Sequence, residues 1–459
     1  MRCLHFRFAS LAVVALCCAS AQDTRRVTEP KIPRSCIVLP ASLTAQGTTL
    51  AEADESKSDT QRIQQALDRC PAGEAVELKS SGTHNAFLAG PLDLRQGVTL
   101  LIDRDTILFA SRNPRDYDVQ PGVCGTITEG GRGCRALLNG NHAADAAVMG
   151  DGVIDGRGGY KIAGQDITWW DLAEKARKGG TQNNPRLLIL SHCDNFILYR
   201  IQLRNSPNFH VSYSHGNGFT AWGVIVNTPQ DARNTDAIDP GNSTNVTITH
   251  CMIHTGDDNV AIKAGPGEPT THMTIAHNHF YGGHGMSIGS NTDGGASAIR
   301  VEDLSIDGAD NGLRIKSNIT RGGLVHDIEY DDVCIRNTAH PILMDSNYTA
   351  SVGKDRDKPP RFTDIRLKNV RVIGAGKIKL EGLDEEHRLG IEFDNVFFNH
   401  PESIKLTAVH ADITTGPGQV NLRMAGDHVS VHGSSGKSTP NACTDKFIPF
   451  PMPVSTKPK

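Results

Sequence analysis

Four short segments hold residues whose types could do acid–base chemistry: Asn234-Thr235-Asp236, Gly256-Asp257-Asp258, Gly283-His284-Gly285 and Arg314-Ile315-Lys316. Asp236, Asp258, His284 and Asn311 follow one another at intervals of 22, 26 and 27 residues. Taken singly, each segment has an ordinary reading. Asn-Thr-Asp is usually an Asx turn, because Asn and Asp bond their own backbone. Gly-Asp-Asp is a turn or part of a calcium site, a histidine between glycines is a solvated loop residue, and Arg-x-Lys on an alternating strand is a solvated face. The grouping changes the weight. If each interval is one turn of a repeating structure, three carboxylates, an imidazole and two cations share one patch on an outer face. Such a patch suits glycoside hydrolysis, in which one carboxyl group is protonated as the acid and another is ionised as base or nucleophile. Crowded carboxylates raise the pKa of at least one of their number. His284 can hold or relay a proton near neutral pH, while Arg314 and Lys316 suit an anionic sugar carboxylate. The physical reading is a hydrolase of an acidic polysaccharide.

The intervals demand a repeat to make them neighbours. Segments Asp258–Lys263, His284–Gly289, Asn311–Lys316 and His340–Asp345 align on the apolar anchors Ile262, Ile288, Ile315 and Met344, spaced 26, 27 and 29 residues apart. Ile238 lies 24 residues before Ile262. Each interval holds short β-branched runs, such as Val246-Thr-Ile248, bounded by Gly, Asn and Asp. Five successive anchors are what the stacked coils of a solenoid require, with the anchors in an inward ladder and their neighbours facing out. The expected fold is all-β, a parallel β-helix. One segment reads as a helix, residues 59–70, with Asp59-Thr60 as its cap and Ile63, Ala66, Leu67 and Cys70 on one face. It is expected to cap the N-terminal end of the solenoid.

Composition agrees. A hydrophobic fraction of 38% over 459 residues excludes a disordered chain, and a net charge of −4 gives no sign of a nucleic-acid or polybasic membrane binder. Aromatics at 5% and 46 glycines favour short strands and turns over a helical bundle. Arg2 and Arg7, the apolar run Leu11–Cys18 and Ala19-Ser20-Ala21 form an export signal with expected cleavage after Ala21. Leu16 before Cys17 argues against a lipoprotein anchor. No later segment has the roughly 18 continuous apolar residues of a membrane span. The expected product is secreted, with periplasmic transit or residence, and monomeric. It has one domain over residues 22–436 and a Pro/Ser/Lys-rich tail over 437–459. Of the eight cysteines beyond the signal, Cys36 with Cys70 and Cys124 with Cys134 are expected disulfides. Cys193, Cys251 and Cys334, inside apolar runs, are expected to be buried free thiols.

The four segments, in this order, resemble the signature motifs of the polygalacturonases. The resemblance runs from about Ser35 to Val396 and is closest to the bacterial endo-acting enzymes, as in Asn205-Ser-Pro-Asn-Phe-His210 and Gly285-Met-Ser-Ile-Gly-Ser290. It implies an inverting hydrolase of α-1,4-linked galacturonan on a right-handed parallel β-helix, with no metal or other cofactor. By resemblance, Asp257 matches the general acid, and Asp236 and Asp258 match the pair that activates water. His284 matches the histidine that tunes the acid, Arg314 and Lys316 match the groups that grip substrate carboxylates, and Tyr348 matches a substrate-contacting tyrosine. Lys263 is either an addition to the basic face or a solvated lysine. Ala237 stands where the family usually has Gly. Two rivals remain. A pectate lyase would need calcium-binding carboxylates and an arginine base, and a non-catalytic carbohydrate-binding β-helix would not need a protonated Asp257.

Overall fold

Short apolar runs in a chain with so few helices can bury themselves only against the run one coil away. In the computed structural model, which describes residues 22–348, 357–436 and 443–455, they do so. The export signal falls on residues 1–21, outside the described residues, as do 437–442 and 456–459 of the tail. Thirty-two strands join in one continuous sheet wound as a parallel β-helix. Its strands fall into three columns. The first begins Ser35–Pro40, Ala75–Lys79, Thr99–Ile102. The second begins Ala86–Ala89, Ile107–Ala110, Val153–Asp155. From Thr270–Tyr281 onward these two columns merge into long strands. The third column runs Leu188–Ser191, Val211–Ser214, Ile238–Gly241, Val260–Ile262, Met286–Gly289, Asn311–Lys316, His340–Asp345, and it carries the chemistry.

Ile262, Ile288, Ile315 and Met344 stack in register and are fully buried. Burying each such side chain is worth about 1.5–3 kcal/mol. Ile238 departs from the expected ladder, because its partner is Val260, two residues earlier than Ile262. Val260 and Ile262 both face inward, so the shorter 22-residue coil is absorbed by a slip of two that keeps every side chain on its own face. The same slip makes Asp236 and Asp258 true neighbours.

Helix α1 (Thr60–Arg69) turns Ile63, Ala66 and Leu67 into the core of the first coils. Asp59 precedes it but makes no side-chain cap. Its carboxylate accepts instead from Arg62 at 2.6 Å and from the Leu88 N–H at 3.1 Å. A second helix, α2 (Trp169–Lys175), begins with a capping box between Thr168 and Asp171.

Disulfides join Cys36–Cys70 and Cys124–Cys134, as expected, and Cys193 and Cys251 are buried and free. Cys334 is not free. It is bonded to Cys443, because the C-terminal segment returns along the solenoid. Lys446 pairs with Asp303 and Asp332, Tyr281 donates to the Ile448 carbonyl at 2.9 Å, and Asn227 donates to the Pro453 carbonyl at 2.9 Å. The segment thus straps about five coils across the second column.

Candidate active site

In each coil the chain leaves the second column, makes a tight loop and enters the third. Ile238, Val260, Met286 and Leu313 are successive partners there. Asp236, Asp258, His284 and Asn311 each stand two residues earlier, so they stack on consecutive coils about 4.8 Å apart. Asn234 makes the bend into Asp236 at φ 56°, a conformation Asn tolerates better than most side chains. Its side chain accepts from Gln182 Nε2 at 3.0 Å. Arg233 Nη1 donates to the Ala173 carbonyl at 2.7 Å, so α2 holds this loop from outside. Thr235 Oγ1 accepts from the Gly256 N–H at 3.0 Å and ties the loop to the next one. Ala237 is buried, and its N–H donates to the Asp258 carbonyl at 3.0 Å.

Asp258 is the most enclosed carboxylate of this cluster, 1% exposed. Its Oδ1 accepts from Ser287 Oγ at 2.7 Å and Arg314 Nη1 at 3.1 Å, and its Oδ2 accepts from Lys316 Nζ at 2.8 Å. Burial pushes its carboxyl up, but Lys316 and Arg314 outweigh burial and hold it below the usual range. Arg314 and Lys316 are themselves only 6% exposed, so the solvated face is overturned as a reading of this strand. The Tyr348 ring lies 5.5 Å from each cation and fixes them further.

Asp257 and His284 form a second unit. His284 Nδ1 lies 3.1 Å from Asp257 Oδ1, and the His284 N–H donates to the Asp257 carbonyl at 2.9 Å. Burial would raise Asp257, but the imidazole's hydrogen bond and charge, with Lys316 behind them, hold it far below the ordinary value. Burial would lower His284, and Asp257 raises it instead. The pair therefore shares one proton that rests on the imidazole. Asp310 Oδ2 stands 3.4 Å from His284 Nε2 on the other side of the ring.

Asp236 is the opposite case. It is 4% exposed, and burial followed by the charge of Asp257 pushes it well above the ordinary value despite Lys263. Lys263 Nζ lies 3.2 Å from Asp236 Oδ2 and also pairs with Asp239. It is half-buried and paired, so it is neither a freely solvated lysine nor part of a free basic face.

The sequence reading brought Asp236, Asp257, Asp258, His284, Arg314, Lys316 and Tyr348 to one place, and they are together in the structure. It missed Ser287, Asp239 and Asp310. Asp239 and Ser287 sit three residues after Asp236 and His284, and Asp310 adjoins Asn311, so the same coil alignment contained them.

Comparison with known proteins agrees with this geometry. The family described as Glycosyl hydrolases family 28 matches residues 112–415. An endo-polygalacturonase of Pectobacterium carotovorum subsp. carotovorum is 42% identical over 84% of this chain and 93% of its own length. A polygalacturonase of Ralstonia nicotianae (strain ATCC BAA-1114 / GMI1000) is 37% identical over 94% of this chain and 93% of its own. The solved polygalacturonase from Erwinia carotovora ssp. carotovora superposes with a TM-score of 0.74 at 37% identity, covering 92% of this chain and 99% of that one. With its stacked carboxylates on a parallel β-helix and this extent of likeness, the chain belongs to glycosyl hydrolase family 28.

Proposed function

We propose that this protein is an exported, endo-acting hydrolase that cleaves α-1,4-galacturonosidic bonds of polygalacturonate with inversion. The observation that carries the reading is the division of three neighbouring carboxyl groups into three proton states beside a fixed pair of cations. Asp258 is held ionised by Arg314 and Lys316, Asp257 shares a proton with His284, and Asp236 has a raised proton affinity. The substrate class follows from the anion-binding character of Arg314 and Lys316 and from the endo-polygalacturonases to which the chain is 42% identical. Three disulfides among the described residues fit an oxidising compartment, and no described helix is long and apolar enough to cross a membrane.

In this mechanism Arg314, Lys316 and Tyr348 seat a galacturonate unit across the third column. The proton held on His284 passes to Asp257 through the 3.1 Å contact as Asp257 delivers it to the glycosidic oxygen. Asp236, whose raised pKa makes it the stronger base once ionised, takes a proton from the attacking water, with Asp258 orienting that water from the neighbouring coil. The leaving chain departs with the proton from Asp257, and the attacked carbon keeps the hydroxyl. A calcium-dependent lyase fits poorly, because Arg314 and Lys316, both paired with Asp258, would repel a calcium ion there.

The test is Asp257→Asn. Turnover of polygalacturonate should fall by about 10²–10⁴-fold, the share that general acid catalysis supplies, while oligogalacturonate still binds. Unchanged turnover would remove Asp257 from the chemistry, and loss of binding with turnover would point to a binding role instead.

A further inference from the structure

Lys263 is the cation of the site that the mechanism leaves without a role. It ends the strand segment after Val260–Ile262 and sits in register beside Gly241 of the preceding coil. Its N–H donates to the Pro240 carbonyl at 2.9 Å. From there its side chain reaches back one coil, with Nζ 3.2 Å from Asp236 Oδ2 and bonded to Asp239 Oδ2. The remaining side of the ammonium lies over the Phe209 ring, 4.1 Å from its centroid. The side chain stays 29% exposed, but its ammonium is engaged by two carboxylates and an aromatic face. Asp236 Oδ1 and Asp239 Oδ1 are buried without a hydrogen-bond partner among the described residues. Lys263 is thus the cation bonded to both carboxyls, and the charge of Arg186 adds to it at Asp239. Arg186 takes the other part of the same surroundings, 4.6 Å from the Phe209 centroid and donating to Ser212 Oγ at 3.0 Å.

We propose that Lys263 and Asp239 are positioning residues: a lysine clamp that fixes Asp236 and, with Asp239 competing for the same ammonium, sets the pH above which Asp236 can act. The inference rests on the reading of Asp236 as a water-activating group. The charged groups facing Asp236 are Asp239 from its own coil and Lys263, Asp257 and Asp258 from the next, with Arg186 behind Asp239. Burial lifts Asp239 to about 6, so its competition for Lys263 itself varies across the mildly acidic range. The two partners then have opposite effects. Removing the lysine leaves two buried carboxyls with no cation between them, and Asp236 ionises at higher pH. Removing the charge of Asp239 leaves the whole ammonium to Asp236, which ionises at lower pH.

The experiment is the pH profile of kcat/KM for polygalacturonate in Lys263→Met, Lys263→Arg, Asp239→Asn and Asp236→Asn, each checked for a native unfolding transition. The acid limb should move up by about one pH unit in Lys263→Met, the size expected for a lost opposite charge at this range. It should return toward the parent in Lys263→Arg and move down in Asp239→Asn. Shifts of the same sign in Lys263→Met and Asp239→Asn, or none, would overturn the clamp while Asp236→Asn is still inactive. An active Asp236→Asn would instead overturn the reading on which the clamp rests. If Lys263→Met does not fold, the downward shift in Asp239→Asn decides alone.

Discussion

Asp236, Asp257 and Asp258 are one kind of side chain in three surroundings, and the surroundings assign their work. A carboxylate between two buried cations stays ionised, one beside an imidazole shares its proton, and one buried near a second carboxylate clings to a proton. The His284–Asp257 pair keeps its proton to higher pH than an isolated imidazole would, because His284 is raised. Its contribution to stability has the same sign, being complete below about pH 6.5 and lost as pH rises through the raised value. Replacing His284 by Gln leaves Asp257 as the only holder of that proton. The basic limb of the kcat/KM profile should therefore move toward acid by at least about one pH unit, and a limb left in place would mean that His284 holds no catalytic proton. At this scale the sequence was highly legible for residues inside motifs. It left Lys263 between a basic-face and a solvated reading and missed the pairing found, since a lysine's spacing does not say whether two carboxylates of the preceding coil will engage it.

The elements that matter are the loops between the second and third columns, because their length decides which side chains stack. Gly283 lies in one of them at φ 68°, and a Cβ there would come within 2.5 Å of the Asp257 carbonyl oxygen, the atom that receives the His284 N–H. Left-handed backbone costs an alanine about 1–2 kcal/mol before any clash. Gly283→Ala should therefore displace the His284–Asp257 pair and lower kcat by about tenfold or more, since a misplacement of about 1 Å can cost about 100-fold. Steady-state kinetics beside a preserved circular dichroism spectrum would test it, and a parental kcat would show that the loop tolerates a side chain. The repeat itself was readable from Ile262, Ile288, Ile315 and Met344, whereas the slip at Ile238 was not. Val260 and Ile262 are both apolar and both face inward, so pattern alone cannot choose between them. Helix α2 was hidden because its seven residues are too few to establish a period, although Thr168-x-x-Asp171 carried the capping signal.

A solenoid is held coil to coil, and the C-terminal strap adds a connection between coils that do not otherwise touch. Cys334 looked like one more buried thiol because its run is apolar on both sides, and nothing near it in sequence announced a partner 109 residues away. Closing so long a loop is worth about 2–4 kcal/mol. Cys443→Ser should lower the unfolding temperature in denaturant-free buffer and leave kcat near the parent value, because the strap crosses the second column and not the third. Unaltered unfolding would show that Lys446 and the other strap contacts suffice. The whole molecule's central property is that it cuts an acidic polymer by adding water. The most direct measurement is digestion of polygalacturonate in excess chelator, with viscosity, reducing ends and ultraviolet absorbance followed together. The account predicts a rapid fall in viscosity with new reducing ends and no absorbance. Inactivity until calcium is restored, followed by rising absorbance from unsaturated ends, would contradict it.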